Sequence, residues 1–204
     1  LESQLKIRNR KSKIGVAMLD QIVKYRQIVT LADGTRVLLR PLLPEDREAL
    51  IALFEPVGPD DYKLMRNDVR DRALVGSWVD NLDYKKVLPL VAIVSDRIVG
   101  DATLHFRRGP GRHLADVRIF LSKEFRRRGL GSAMLRALID IARKCGLQQL
   151  VAEIVADQTK VINAFKNLGF EQRAVYPDYF MMPDGETHDV VVLMLPLTRK
   201  HEEF

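Results

Sequence analysis

The sequence predicts a layered α/β domain, and three observations carry that prediction. Short runs rich in Val, Ile and Leu recur along the chain, several of them alternating apolar with polar residues. Between them lie segments whose apolar residues repeat at helical spacing, with glycines at Gly146 and Gly169 where such helices should stop. The second half reads strand, helix, strand, helix, strand, strand, an order that places helices against a sheet.

From Lys13 to Arg26, Ile14, Met18, Leu19, Ile22 and Val23 recur at helical spacing among basic residues, which predicts an amphipathic helix. This helix belongs to a basic N-terminal arm, residues 1–30, set before a main domain at 31–197 and a tail at 198–204. Packing on its own domain, on a second copy or on a larger upstream domain are its ordinary roles, with a membrane-surface helix as the alternative. LADGT at 31–35 supplies an Asp-Gly turn, and RVLLRP after it reads as a strand. Pro44, Glu45 and Asp46 open a helix, since proline loses no hydrogen bond there and acids suit the macrodipole. Its apolar face is Leu50, Leu53 and Phe54. VGPDDYK reads as a loop, and a second helix spans about 66–79 with Val69, Leu74 and Trp78.

VLPLVAIV (87–94), the turn SDR and IVGDATLHF (98–106) form an antiparallel hairpin, followed by the loop RRGPGRH and the strand LADVRIFL (114–121). That last strand alternates Val117, Ile119 and Leu121 with Asp116, Arg118 and Phe120, one face for a core and the other for a cleft. Helix 130–145 turns Leu130, Met134, Leu138 and Ile141 to one side. LQQLVAEIVA is a strand, Asp157 caps a helix at 158–168, and two strands flank the turn PDGETHD.

With 204 residues, 47% of them hydrophobic, the chain can bury one substantial core. One cysteine, Cys145, excludes an internal disulfide framework, and no His/Cys group has metal-ligand spacing, so no metal is expected. No apolar run approaches the ~20 residues of a membrane span and no export signal is seen, which gives a cytoplasmic, non-membrane expectation. The net charge of +6 sits largely in the arm: residues 1–29 hold seven basic residues against two acids. The main domain is therefore nearly neutral, and no nucleic-acid signature accompanies it.

The most informative stretch is SKEFRRRGLGSAML, between the strand at 114–121 and the helix at 130–145. A strand, a loop with close glycines and a helix N-terminus make an anion site, because the first turn leaves N–H groups unsatisfied and glycine lets a phosphate approach. Arginines add fork-shaped donors. A P-loop needs Lys-Ser/Thr after its second glycine, whereas Gly131 precedes Ser132 and Ala133. A dinucleotide fingerprint needs a third glycine where Met134 stands, although Glu153 lies where a ribose ligand would. The remaining pattern, Arg/Gln-x-x-Gly-x-Gly/Ala, is met by Arg126, Gly129 and Gly131.

With that loop, the opening RVLLRPLLPEDREAL, and Leu168-Gly169-Phe170 closing the fourth helix, residues 35–197 resemble the GNAT superfamily of N-acetyltransferases. Within it the chain is similar to bacterial protein-lysine acetyltransferase domains. The resemblance implies a mixed, mostly antiparallel sheet of six to seven strands flanked by helices. Its parallel pair, 114–121 and 149–155, should splay to take acyl-CoA. It further implies transfer of an acetyl group from acetyl-CoA, the cosubstrate, to an amine acceptor that is a small molecule or a protein lysine.

By the same resemblance, the amides of Arg127, Arg128, Gly129, Leu130, Gly131 and Ser132 take the pyrophosphate and Arg126 anchors it. Backbone groups of Ile119, Phe120 and Leu121 face the pantetheine and the acyl carbonyl. Gln158 stands where asparagine is common, and Phe165 where many members carry a tyrosine that protonates the departing thiolate. Tyr176 and Tyr179 are candidates to replace that tyrosine. Asp116, ten residues before Arg126, is the first candidate for the base and Glu153 the second. Aspartates between 55 and 86 suit a cationic acceptor. Phe165 also leaves open a regulatory acyl-CoA-binding domain with little catalysis, and the arm leaves open a homo-oligomer or a fusion to a larger acyl-CoA enzyme.

Overall fold

The computed structural model describes residues 21–182 and 185–197. Most of the predicted helix at 13–26 lies outside them; residues 21–23 are helical, and Ile22 is buried in the main core. Eight strands follow: β1 (Gln27–Thr30), β2 (Arg36–Pro41), β3 (Val87–Val94), β4 (Arg97–Phe106), β5 (Leu114–Leu121), β6 (Gln149–Val155), β7 (Glu171–Met181) and β8 (Thr187–Pro196). After the helical residues 21–23, five α-helices accompany them among the described residues: α1 (Arg47–Phe54), α2 (Pro59–Tyr62), α3 (Arg72–Asp80), α4 (Leu130–Lys144) and α5 (Thr159–Lys166).

The strands form one sheet in the order β1-β2-β3-β4-β5-β6-β8-β7, and every neighbouring pair is antiparallel except β5 with β6. The sheet thus has eight strands where six to seven were expected. The extra one is β1, which the sequence reading placed in the arm: Gln27–Thr30 pair with Leu39–Arg36 across the Asp-Gly turn, where Asp33 Oδ1 accepts the Thr35 N–H at 3.0 Å.

Side-chain alternation divides the packing between the two faces. Ala102 and Leu104 of β4, with Ala115 and Val117 of β5, meet α4, whose Leu130, Met134 and Leu138 are fully buried. Burying a leucine contributes about 1.5–3 kcal/mol, so this face anchors the domain. The opposite face is covered by α1 and α3, whose Leu50, Phe54, Val75 and Val79 form a second cluster with Val91.

Three local expectations change. PDDY within the expected loop forms the short helix α2, started by Pro59. The second long helix begins at Arg72 because the Asp71 carboxylate caps it, accepting the Ala73 and Leu74 N–H groups at 2.8 and 3.1 Å. Gln158, not Asp157, occupies the N-cap position of α5; the Asp157 carboxylate meets His188 Nδ1 at 3.1 Å instead. That helix ends near Lys166, before Gly169 at φ +93°, a conformation only glycine adopts without strain.

Candidate active site

β5 and β6 are paired only at their beginnings: Leu114 with Gln149, Ala115 with Leu150 and Asp116 with Val151. Beyond that point β5 stays registered with β4 to Leu121, and β6 with β8 to Val155, so a gap opens between them. Ladder alternation fixes which groups face the gap. Leu114 O accepts from Arg107 and the Ser122 N–H donates to Val99 O, both across to β4, so even-numbered residues of β5 bond to β4. Ile119 and Leu121 therefore direct their backbone groups into the gap. Phe120, expected to offer its backbone there, is engaged with β4 and contributes its ring instead.

A cavity of about 560 Å³ runs through this gap. On the α1/α3 face it is lined by Asp101, Thr103 and His105 of β4, Arg118 and Phe120 of β5, and Glu153 of β6. Toward the other face it reaches Ile119, Gln158, Val161 and Phe165. Phe54, stacked on Phe120 at 5.1 Å and edge-on to Trp78 at 5.9 Å, supplies part of an apolar wall.

At the outer end of the gap, the loop before α4 presents a row of donors. The N–H groups of Arg127, Arg128, Gly129, Leu130, Gly131 and Ser132 have no acceptor among the described residues; the first helical bond is from Ala133 to Gly129 O at 3.1 Å. Arg127 at φ +59° and Gly129 at φ +88° shape this row, and a Cβ at Gly129 would meet nothing within 4 Å. The space beside Gly129 is open.

Two of the three arginines, Arg126 and Arg128, are otherwise engaged. Arg126 donates from Nε to Leu121 O at 2.9 Å and, through both terminal nitrogens, to Asp61 of α2 at 2.8 and 3.0 Å. Arg128 is paired with Asp33 and bonds Thr35 Oγ1 at 2.9 Å. Both side chains brace the loop against its neighbours, and Arg126 is tied to α2 rather than extended toward the row of amides.

The two candidate bases separate clearly. Asp116 does not line the cavity; Arg107 grips its carboxylate with Nη2 at 2.6 Å and Nε at 3.0 Å. Strand pairing on both sides of Asp116, to His105 and Val151, holds it below the point where the gap opens. Glu153, two residues past Val151, lines the cavity, with Oε2 accepting from Arg66 Nη2 at 2.8 Å. Its Oε1 has no hydrogen-bond partner among the described residues. Arg66 also lies over the Phe180 ring at 4.8 Å and closes this side.

Phe165 is buried, edge-on to Phe170 at 4.9 Å. Tyr176 and Tyr179 do not take its place: they stand 45% and 53% exposed on β7, outside the cavity. Cys145 lies outside the cavity, and burial pushes its thiol up to about 11.

Sequence reasoning missed Asp101, His105 and Arg66. For the first two a signal existed: Asp101, Thr103 and His105 occupy every second position of an otherwise apolar strand, a polar face that needs a reason. His105 bonds Thr103 Oγ1 through Nε2 at 2.9 Å, and burial, with Arg118 nearby, lowers it to about 4, so the ring is neutral at pH 7. Burial pushes the Asp101 carboxyl up to about 7.

Between the ordinary aspartate pKa of about 3.9 and the folded value, the native state holds a proton the unfolded chain releases, so stability falls as pH rises through that window. Asp101→Asn cannot ionise. Its melting temperature should exceed the parent's by several degrees at pH 8, with the gap shrinking toward pH 4, as calorimetric melts across that range would register. An equal offset at both pH values would contradict the burial of an ionisable group here.

Comparison with known proteins agrees with this geometry. The model of the acetyltransferase (GNAT) family matches residues 48–170, more than half the chain. The ribosomal protein bS18-alanine N-acetyltransferase of Escherichia coli K12 is 31% identical over 80 residues, 39% of this chain and 53% of that protein. The L-amino acid N-acetyltransferase AaaT of the same organism is 28% identical over 97 residues, 46% of this chain and 60% of that one. The chain thus spans about half the length of the curated relatives it matches. Among solved structures, the GNAT domain of S. lividans PAT aligns with a TM-score of 0.69 at 22% identity, over 84% of this chain and 96% of that one. The yncA protein of Salmonella typhimurium, solved with its cofactor acetyl-CoA, gives 0.69 at 22% identity, over 81% of this chain and 96% of that one. The matched segment contains the donor row, the split strand pair and the cavity's polar floor, and the chain belongs to the GNAT acetyltransferase family.

Proposed function

We propose that the chain is an N-acetyltransferase that uses acetyl-CoA and an amine acceptor, with Glu153 as the base. The observation that carries this reading is the gap between β5 and β6, with a polar cavity within it and, past the end of β5, six amide donors that have no acceptor among the described residues. The donor row suits a pyrophosphate, because amides at a helix N-terminus bind anions without requiring a charged side chain. The open edge of β5 suits the pantetheine, an extended amide chain that can pair as a strand does. The acyl group then lies against Ile119.

An alkylammonium, pKa ~10.4, must lose a proton before it attacks. Glu153 Oε1 takes that proton, directly or through water, while Arg66 fixes the other oxygen. As the nitrogen bonds to the thioester carbon, the oxyanion gains the Ile119 N–H, a contact whose like is worth on the order of 3 kcal/mol elsewhere. Collapse breaks the carbon–sulfur bond, giving the amide and the coenzyme thiolate, and one of the two protons shed by the ammonium returns to sulfur. With Phe165 in place of a hydroxyl donor the thiolate leaves unassisted, which the modest basicity of a thiolate, ~8.5 for cysteine, permits at moderate rate.

Acetyl-CoA incubated with the protein and a panel of primary amines should give stoichiometric amide and free thiol, followed by mass spectrometry. Tight acetyl-CoA binding with no amide from any amine would favour the regulatory binding domain instead. Phe165→Tyr restores a proton donor at the cavity wall and should leave turnover unchanged or raise it up to about tenfold. A drop in turnover with an unchanged melting temperature would show that the aromatic wall matters more than the missing hydroxyl.

A further inference from the structure

The charged residues around the cavity are paired with two exceptions. Arg66 holds Glu153 at 2.8 Å and Lys86 holds Asp83 at 3.3 Å. The side chains of Arg118 and Asp101 make no hydrogen bond and no ion pair among the described residues, and Arg118 Nε and Asp101 Oδ1 are both shut off from water. The carboxylates nearest Arg118 are Asp116 and Glu153, already committed to Arg107 and Arg66. Leaving two buried polar groups unsatisfied costs about 1–3 kcal/mol each, more for charged ones, and a folded chain seldom carries that without use.

Their placement is specific. Asp101 is registered with Phe120 and Thr103 with Arg118, so Asp101 and Arg118 are diagonal neighbours on one face of the sheet. Such positions lie about 7–8 Å apart, yet the side chains do not meet, because no ion pair within 4 Å forms between them. Ile119, whose N–H faces the gap, sits between their levels on β5. A ligand bridging them must carry a cationic or donor group toward Asp101 and an anionic group toward Arg118, with its nitrogen near the acyl carbon. Phe54, Trp78 and Leu82 leave an apolar wall beside that span.

Resting on the acetyl-transfer reading, we infer that the acceptor is a free zwitterionic amino acid with an apolar side chain: Arg118 binds its carboxylate and Asp101 draws in its amino group. The guanidinium of Arg118 gains the fork-shaped partner it lacks, and Asp101 gains a cation. Asp101 then steers the ammonium into the cavity, and Glu153 removes its proton.

The test is calorimetric titration of the protein–coenzyme A complex with L-phenylalanine, L-leucine and L-methionine, each beside its decarboxylated amine and its deaminated acid. At least one amino acid should bind about tenfold or more tighter than both of its counterparts. Arg118→Met should abolish the advantage over the amine, and Asp101→Asn the advantage over the acid, with coenzyme A affinity and melting behaviour confirming that each variant is folded. Amines or acids that bind as well as the amino acids, an advantage that survives both substitutions, or no binding by any of these ligands would overturn the assignment. Acetylated amines without a carboxylate preference would sink this inference and leave acetyl transfer standing; the expected binding pattern without acetyl transfer would do the reverse.

Discussion

Glu153→Gln is expected to lower acetyl transfer by about 10²–10⁴-fold at neutral pH, with acetyl-CoA affinity unchanged within twofold. The amide keeps the size and the contact to Arg66 while removing proton acceptance, so the loss should fall on turnover rather than on binding. Part of the activity should return at high pH, where more of the acceptor amine is neutral without help. Asp116→Asn provides the contrast. Its carboxylate is held by Arg107 outside the cavity, so it should change turnover by less than about threefold. Full activity in Glu153→Gln together with a large loss in Asp116→Asn would move the base to the β5 position.

Ser132→Glu should weaken acetyl-CoA binding by about 100-fold or more, close to 3 kcal/mol. Ser132 is the third residue of α4, where a carboxylate favours the helix by about 0.3–1 kcal/mol because it faces the positive end of the macrodipole. The variant should therefore melt no lower than the parent while repelling a pyrophosphate from the free amides. Gly129→Glu would also block the loop, but its φ of +88° adds backbone strain that blurs the result. An acetyl-CoA affinity within twofold of the parent in Ser132→Glu would place the phosphates elsewhere.

The loop was legible because its chemistry is local. Strand, closely spaced glycines and helix start lie within one short stretch, and backbone donors at a helix N-terminus need no distant partner to be identified. What each arginine does was not legible, since Asp61 and Asp33 lie far from Arg126 and Arg128 in sequence and are brought to them only by α2 and the β1–β2 turn. The same holds for the base: Asp116 and Glu153 both sit on strands beside the gap. The extent of β5–β6 pairing, a property of two strands' registers, leaves one outside the cavity and the other within it. Strand β1 escaped because four residues preceding a turn carry little periodicity, and pairing with β2 supplies what the sequence pattern lacks. Asp101 and Arg118 were visible as polar residues in apolar strands. That both are unpaired follows only from the side chains around them.

On the proposed reading, coenzyme A lies along the gap between β5 and β6 with its phosphates on the loop before α4. Titration of nitrogen-15-labelled protein with coenzyme A, followed through the backbone amide resonances, checks this placement. The amides of Arg127–Ser132 and of Ile119 should move most, and together, along one saturating isotherm. Saturable binding that leaves those amides unmoved while others shift would contradict it.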